Sequence, residues 1–264
     1  LFKGSWLALA AGQMSLPVIF LLIWFYANYQ KNEWLSLFAL AIATLKPTLA
    51  APFFLYLLLR GEFAKTFTTG GIAFFIHLAA TLIFPAGPVG YLDQLVKSLS
   101  GFEIIHVNSY LLMGTSGRID LAPLAAVFGV QGVGLIILLS AVAIGGLYWL
   151  YRNRHKLDDL TSLLLLNILF FLLTYHRAYD LVLLLILGVP VLWRYSKEFS
   201  HVHLLALLPL AMPLQFLLQT GLEHLPQLTI LWHLFACSVP VTLAAVAVFL
   251  LLKTKVFEPI PKGS

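Results

Sequence analysis

From Val127 to Tyr151 the chain runs 25 residues without an Asp, Glu, Lys or Arg. A helix of about 20 apolar residues crosses a ~30 Å hydrocarbon core, so this run alone restricts the fold to one that buries whole helices or sits in lipid. Further uncharged runs of 16 to 25 residues follow, including 160–175 and 228–252. Charged residues make up 10% of the chain, hydrophobic residues 61%, and the mean hydropathy is +0.94. Soluble domains carry roughly 25% charged residues. The sequence therefore predicts an all-α, polytopic transmembrane helical bundle and excludes a soluble domain.

Apolar helices are predicted at 14–29, 34–45, 48–59, 66–84, 127–151, 160–175, 181–193, 202–219 and 228–252, about nine membrane helices or half-helices in one domain spanning 1–264. Two long runs are interrupted. Proline lacks an amide donor and disfavours helix in the residue before it, so Lys46-Pro47 divides 34–60 into two legs. The run 160–193 would be about 50 Å long as one helix, too long even when tilted, so it breaks at His176-Arg177. With both pairs folded as two legs, Lys31, Arg60, Lys65, Arg152, Arg154, Lys156, Arg194, Lys197, Lys253, Lys255 and Lys262 fall on one side. Lys3, Lys46, Lys97, Arg118 and Arg177 fall on the other. The positive-inside rule assigns the richer side to the cytoplasm. The net charge of +5 is thus explained by loops rather than by nucleic-acid binding. Gly12-Gln13, Lys46-Pro47, the loop 85–126 and the Tyr175–Asp180 cluster then share the extracytoplasmic face.

The loop 85–126 opens with Pro85, Gly87, Pro88 and Gly90, residues that favour turns. In 91–99, Tyr91, Leu92, Leu95, Val96 and Leu99 share one helical face and Asp93, Gln94, Lys97 and Ser98 the other. That pattern predicts an amphipathic helix lying in the membrane interface. His106 and Asn108 follow, in a segment that reads either as a lid contacting substrate or as a solvated connection.

Ionisable side chains inside a membrane are costly and mark cavities or partners. Arg177 offers a planar fork suited to phosphate or carboxylate. His176 is suited to donating to a phosphate or to transferring a proton, and Asp180 to orienting either. The bland alternative is a turn in which Asp180 pairs with Arg177, while Tyr175 and Tyr179 anchor at the headgroups. Lys46 either snorkels to the surface or neutralises a lipid phosphate. Gln13 is placed to bind a sugar hydroxyl or to satisfy exposed backbone. His77 and His233 stand alone in apolar runs, where packing is the default reading. Gly70-Gly71 and Gly145-Gly146 are expected at close helix contacts. His201 and His203 lack the carboxylates or cysteines of a metal site, Cys237 has no disulfide partner in the chain, and no phosphate-cradling or nucleophile-elbow motif occurs.

Three stretches in order, "GQMSLPVIFLLIWFYA", "FALAIATLKPTLAAPFFLYLLLRGEF" and "TYHRAYDLVLLLI", resemble the polyprenyl-phosphate-mannose-dependent mannosyltransferases of glycosyltransferase family 87, which have the GT-C fold. The resemblance implies an inverting transferase in the plasma membrane with an extracytoplasmic active face. It implies a polyprenyl-phosphate sugar as donor and a glycolipid or glycan as acceptor, with no cofactor, a divalent ion being compatible with the sequence. By motif position His176 is the candidate catalytic residue, and Lys46 and Arg177 the donor-phosphate ligands. Gln13, His106, Asn108 and Asp180 are secondary substrate contacts. In "HVNSYLLMG" Asn108 meets Ser109 directly, without the glutamine of the family's element. The family's catalytic carboxylate sits in a loop after its first helix, a region expected upstream of Leu1 in a longer protein. Two other readings compete: a lipid carrier or transporter whose polar turn binds a headgroup, and a non-catalytic subunit with a transferase-like scaffold.

Overall fold

The computed structural model describes residues 15–83, 87, 89–90, 120–174, 180–195 and 229–253. The expected helix at 202–219 and the interfacial helix at 91–99 lie outside these residues. Every regular element among the described residues is helical: α1 (Ser15–Asn28), α2 (Glu33–Ala43), α3 (Pro47–Leu59), α4 (Phe63–Ile83), α5 (Leu121–Val127), α6 (Val133–Asn153), α7 (Asp159–Leu173), α8 (Leu181–Trp193) and α9 (Thr229–Lys253). The chain divides into two compact units, Leu1–Gly117 and Arg118–Ser264.

In the first unit the local signals set the turns. Asn32 caps α2 by accepting from the Leu35 amide, and Glu33 places an acid in the first turn, where it favours the helix dipole. α2 stops at Ala43, Thr44 follows as its C-cap, and Pro47 opens α3 behind Lys46. Proline costs nothing at that position, because its missing amide would have no partner there.

The side-chain pairs fix the directions. Phe25 meets Phe53 edge-on at 6.1 Å and Tyr29 meets Tyr56 at 6.4 Å, while the Lys46 ammonium donates to Ser15 Oγ at 2.6 Å. Residue numbers rise together in these pairs, so α1 and α3 run parallel. Glu33 with Lys65 at 3.8 Å and Thr44 with His77 at 3.0 Å do the same for α2 and α4. Four helices thus run up, down, up, down. The 34–60 run is a hairpin of two legs and not one kinked span.

α4 carries its polarity on the inside. Thr69, Ala73 and Thr81 are buried and Thr66 and His77 half-buried on one stripe, while Phe67, Phe74, Phe75 and Leu82 are 62–76% exposed. The threonine hydroxyls bond back to their own helix: Thr66 to Glu62 O, Thr69 to Lys65 O and Thr81 to Leu78 O. Small and polar residues inside with phenylalanines outside suit a helix surrounded by lipid. Gly70 and Gly71 do not make the close contact expected of them. A methyl group at either would meet nothing within 4 Å among the described residues, because both lie on the exposed side.

In the second unit, α6, α7 and α8 form successive hairpins. Asp158 meets Arg194 at 3.0 Å and Leu164 lies against Gly188; one number rises as the other falls, so α7 and α8 are antiparallel. α9 packs on α7, and its Phe249 ring stands perpendicular to Tyr195 at 5.9 Å. Among the described residues α6 is the one helix long and apolar enough to cross a membrane, with mean hydropathy 2.2. Its start differs from expectation. The predicted helix from 127 is preceded by a separate short α5, capped by Asp120, and interrupted at Gly129 and Gly132. Those two glycines have φ of +74° and +56°, a left-handed backbone that breaks a helix and favours glycine.

Candidate functional site

The first unit has two chemically different ends. At the α1–α2 and α3–α4 turns, Glu62 accepts from the Tyr29 hydroxyl at 3.2 Å and meets Lys65 at 2.7 Å and Arg60 at 3.8 Å. The Lys65 ammonium also lies 5.2 Å from the Tyr29 ring centroid. These contacts neutralise one another and pin both turns. Lys31, Arg60 and Lys65 share this end, as the two-leg topology requires.

The opposite end gathers Ser15, Thr44, Lys46 and His77. Lys46 is at the break between α2 and α3 because Pro47 ends one helix and begins the next, and its stem carries the ammonium to Ser15 at the start of α1. Thr44 Oγ1 bonds the Ala41 carbonyl and His77 Nε2 together. His77 is 14 residues beyond Phe63 and six before Ile83, so the group sits about 21 Å along α4 and about 9 Å short of its end. Two hydrogen-bonded pairs, Lys46 with Ser15 and Thr44 with His77, therefore share this end of the unit, joined through the short Thr44–Lys46 turn. Such a group can bind an anion through the ammonium and exchange hydrogen bonds with hydroxyls.

In the second unit the end holding Asp158, Arg194 and Lys253 is the charged one. At the other end, α7 stops at Leu173, Thr174 takes an extended conformation and donates its hydroxyl to Phe170 O at 2.9 Å, and α8 begins at Leu181. The run 160–193 is thus broken where its length demanded. Asp180 stands at the start of α8, 2% exposed, and its carboxylate does not cap the helix. Two small cavities of about 130 and 140 Å³ flank α7, one lined by α7, α8 and α9 and the other by α6, α7 and α9. Leucine, isoleucine, valine, alanine, glycine and one tryptophan line them, which suits hydrocarbon rather than chemistry.

Of the candidate residues, Lys46 and Asp180 are placed, each in its own unit. Gln13, His106, Asn108, His176 and Arg177 lie outside the described residues. Among the described residues no group of three or more His, Cys, Asp or Glu is arranged to hold a metal ion. His77 departs from its expectation: it is tied to the Lys-Pro break by a side-chain hydrogen bond and is not simply packed. The signal for it was the stripe Thr66, Thr69, Ala73, His77, Thr81, whose spacing of three and four puts the histidine on the polar face.

The family model of glycosyltransferase family 87 matches residues 1–175. The chain belongs to glycosyltransferase family 87. No curated protein and no solved structure matches it. The matched stretch contains α1 to α7 and therefore the whole Ser15, Thr44, Lys46, His77 group. It ends one residue before His176. Family 87 membership makes the chain a membrane glycosyltransferase, in keeping with the apolar α6 and the phenylalanine face of α4.

Proposed function

We propose that this family 87 chain is a GT-C transferase that moves a sugar, mannose by the sequence resemblance, from a polyprenyl-phosphate donor to a glycolipid or glycan acceptor. We place the reaction at the extracytoplasmic face of the plasma membrane. The observation that carries the proposal is the Lys46 ammonium held at a helix break beside Ser15, within the apolar length of the first unit, in a chain matched by the family. In such a transfer an acceptor oxygen bonds to the anomeric carbon from the face opposite the donor phosphate. The bond between that carbon and the phosphate oxygen breaks, and the lipid phosphate leaves with the electron pair. Negative charge grows on the leaving group, and a fixed cation in a low-dielectric setting stabilises it strongly. Lys46 supplies that charge, with Arg177 as a second ligand and His176 donating to the departing oxygen. Gln13, His106, Asn108 and Asp180 are the secondary contacts. The hydroxyl proton passes to a base, a role assigned to neither Asp93 nor Asp180.

The test is sugar transfer from a polyprenyl-phosphate mannose by the full-length protein in membranes. Lys46→Gln is expected to lower kcat by about 10²- to 10³-fold, with membrane insertion and helix content unchanged. Wild-type rates in Lys46→Gln would remove the lysine from the site. Donor binding without any turnover in the wild-type protein would favour the carrier reading.

A further inference from the structure

For a neutral imidazole, the hydrogen bonds of the Thr44 hydroxyl favour a proton on the His77 nitrogen that faces it. That oxygen lies 2.5 Å from the Ala41 carbonyl, which can only accept, so the single hydroxyl proton is committed there. The same oxygen lies 3.0 Å from His77 Nε2 and must then accept from it. Nε2 therefore bears a hydrogen, and the neutral ring presents Nδ1 as a lone-pair acceptor. Among the described residues the ring makes no other hydrogen bond. The ring is bonded to Thr44, two residues before Lys46 in the chain, and lies about 9 Å from the end of α4. An acceptor inside an apolar layer is costly unless a donor meets it.

We propose that His77 is a substrate-binding residue: Nδ1 accepts a hydrogen bond from a sugar hydroxyl of the donor whose phosphate Lys46 holds. The ligand chemistry is a phosphate joined to a hydroxyl-bearing ring, with the anion on the ammonium and the hydroxyl on the imidazole. Thr44 is the positioning residue, because its hydroxyl holds the ring and favours that tautomer. This rests on the reading of Lys46 as a donor-phosphate ligand.

Two amide replacements separate substrate binding from packing. In His77→Gln the longer amide reaches Thr44 as Nε2 does, but leaves no acceptor at the Nδ1 position. In His77→Asn the shorter amide puts an acceptor at the Nδ1 position and gives up the Thr44 bond. The measurements are thermal melting in detergent and steady-state transfer from a short-chain polyprenyl-phosphate mannose. His77→Gln should melt with the wild type and raise KM for the donor about tenfold, the size of one lost hydrogen bond. His77→Asn should melt lower and keep a KM nearer the wild type. Wild-type KM in His77→Gln, with Lys46→Gln still impaired, would overturn the assignment and leave the transferase reading in place. Conversely, a wild-type protein that binds this donor without transferring it, and loses that binding in His77→Gln, would keep the assignment and overturn the transferase reading.

Discussion

Two adjacent glycines in α6 show how differently neighbouring positions respond to the same change. A methyl group on Gly146 would lie 2.8 Å from Leu169 Cδ1, so α6 and α7 touch there and the leucine side chain would have to shift. At Gly145 a methyl group meets nothing within 4 Å among the described residues. Gly145→Ala removes the entropy cost of glycine in a helix and should stabilise by up to about 1 kcal/mol. Gly146→Val crowds the Leu169 side chain and should destabilise by about 1–3 kcal/mol. Melting temperatures in one detergent check both: a rise for the first and a fall for the second. Equal shifts would mean that α6 and α7 do not meet at Gly146. The sequence pair "GG" announced a close contact, but only the packing partner shows which glycine makes it. The same limit hid His77. A lone histidine in an aliphatic run looks like packing until the residue across the helix interface is known to be a threonine.

At the level of elements, the helices were largely legible because each end carries its own chemistry. Lys46-Pro47 marks a break that the structure keeps, and the long run 160–193 had to break, whereas the caps Asn32 and Asp158 emerge only from the structure. α5 was missed because seven residues are too few to show a period, and the two left-handed glycines that isolate it looked like tolerable helix residues. Asp158 is also an electrostatic element. Partial burial raises its carboxyl pKa, but bonds from the Thr161 hydroxyl and amide and the Arg194 charge outweigh this and leave it below the ordinary 3.8. A carboxyl that titrates lower when folded stabilises the fold above the unfolded value and loses that contribution as the pH falls through the folded one. Asp158→Ala should cost about 1 kcal/mol near neutrality through the lost helix cap. The exposed pairing with Arg194 adds little to that. The gap between wild type and variant should stay level from about pH 7 to pH 5 and narrow below about pH 4. A gap that instead widens on acidification would contradict the sign of the shift.

At the scale of the whole chain, charge distribution predicts something that helix packing then tests. Within the first unit Lys31, Arg60 and Lys65 share one end and Lys46 the other. Within the second, Arg154, Lys156, Arg194 and Lys253 share one end, tied by Asp158–Arg194 and by the Tyr195–Phe249 ring contact. Both groupings are those obtained by counting charges over alternating loops. What the sequence lacks is depth. The legs α2 and α3, at 11 and 13 residues, reach about 16–20 Å, short of a full crossing; with their other ends at the cytoplasmic surface, as the proposed topology has them, the Lys46 turn would sit within the layer. An aqueous recess must reach it if a sugar donor is to bind there. In a Cys237→Ser background, Thr48→Cys should react with an impermeant maleimide added outside intact cells. Lys31→Cys and His155→Cys should react only after permeabilisation, since the positive-inside rule puts their ends in the cytoplasm. Thr48→Cys labelled only from within would reverse the orientation of the first unit and move the proposed site to the other face. Its failure to label under either condition would leave the turn dry, and Lys46 would then have a packing role with no access for a donor phosphate.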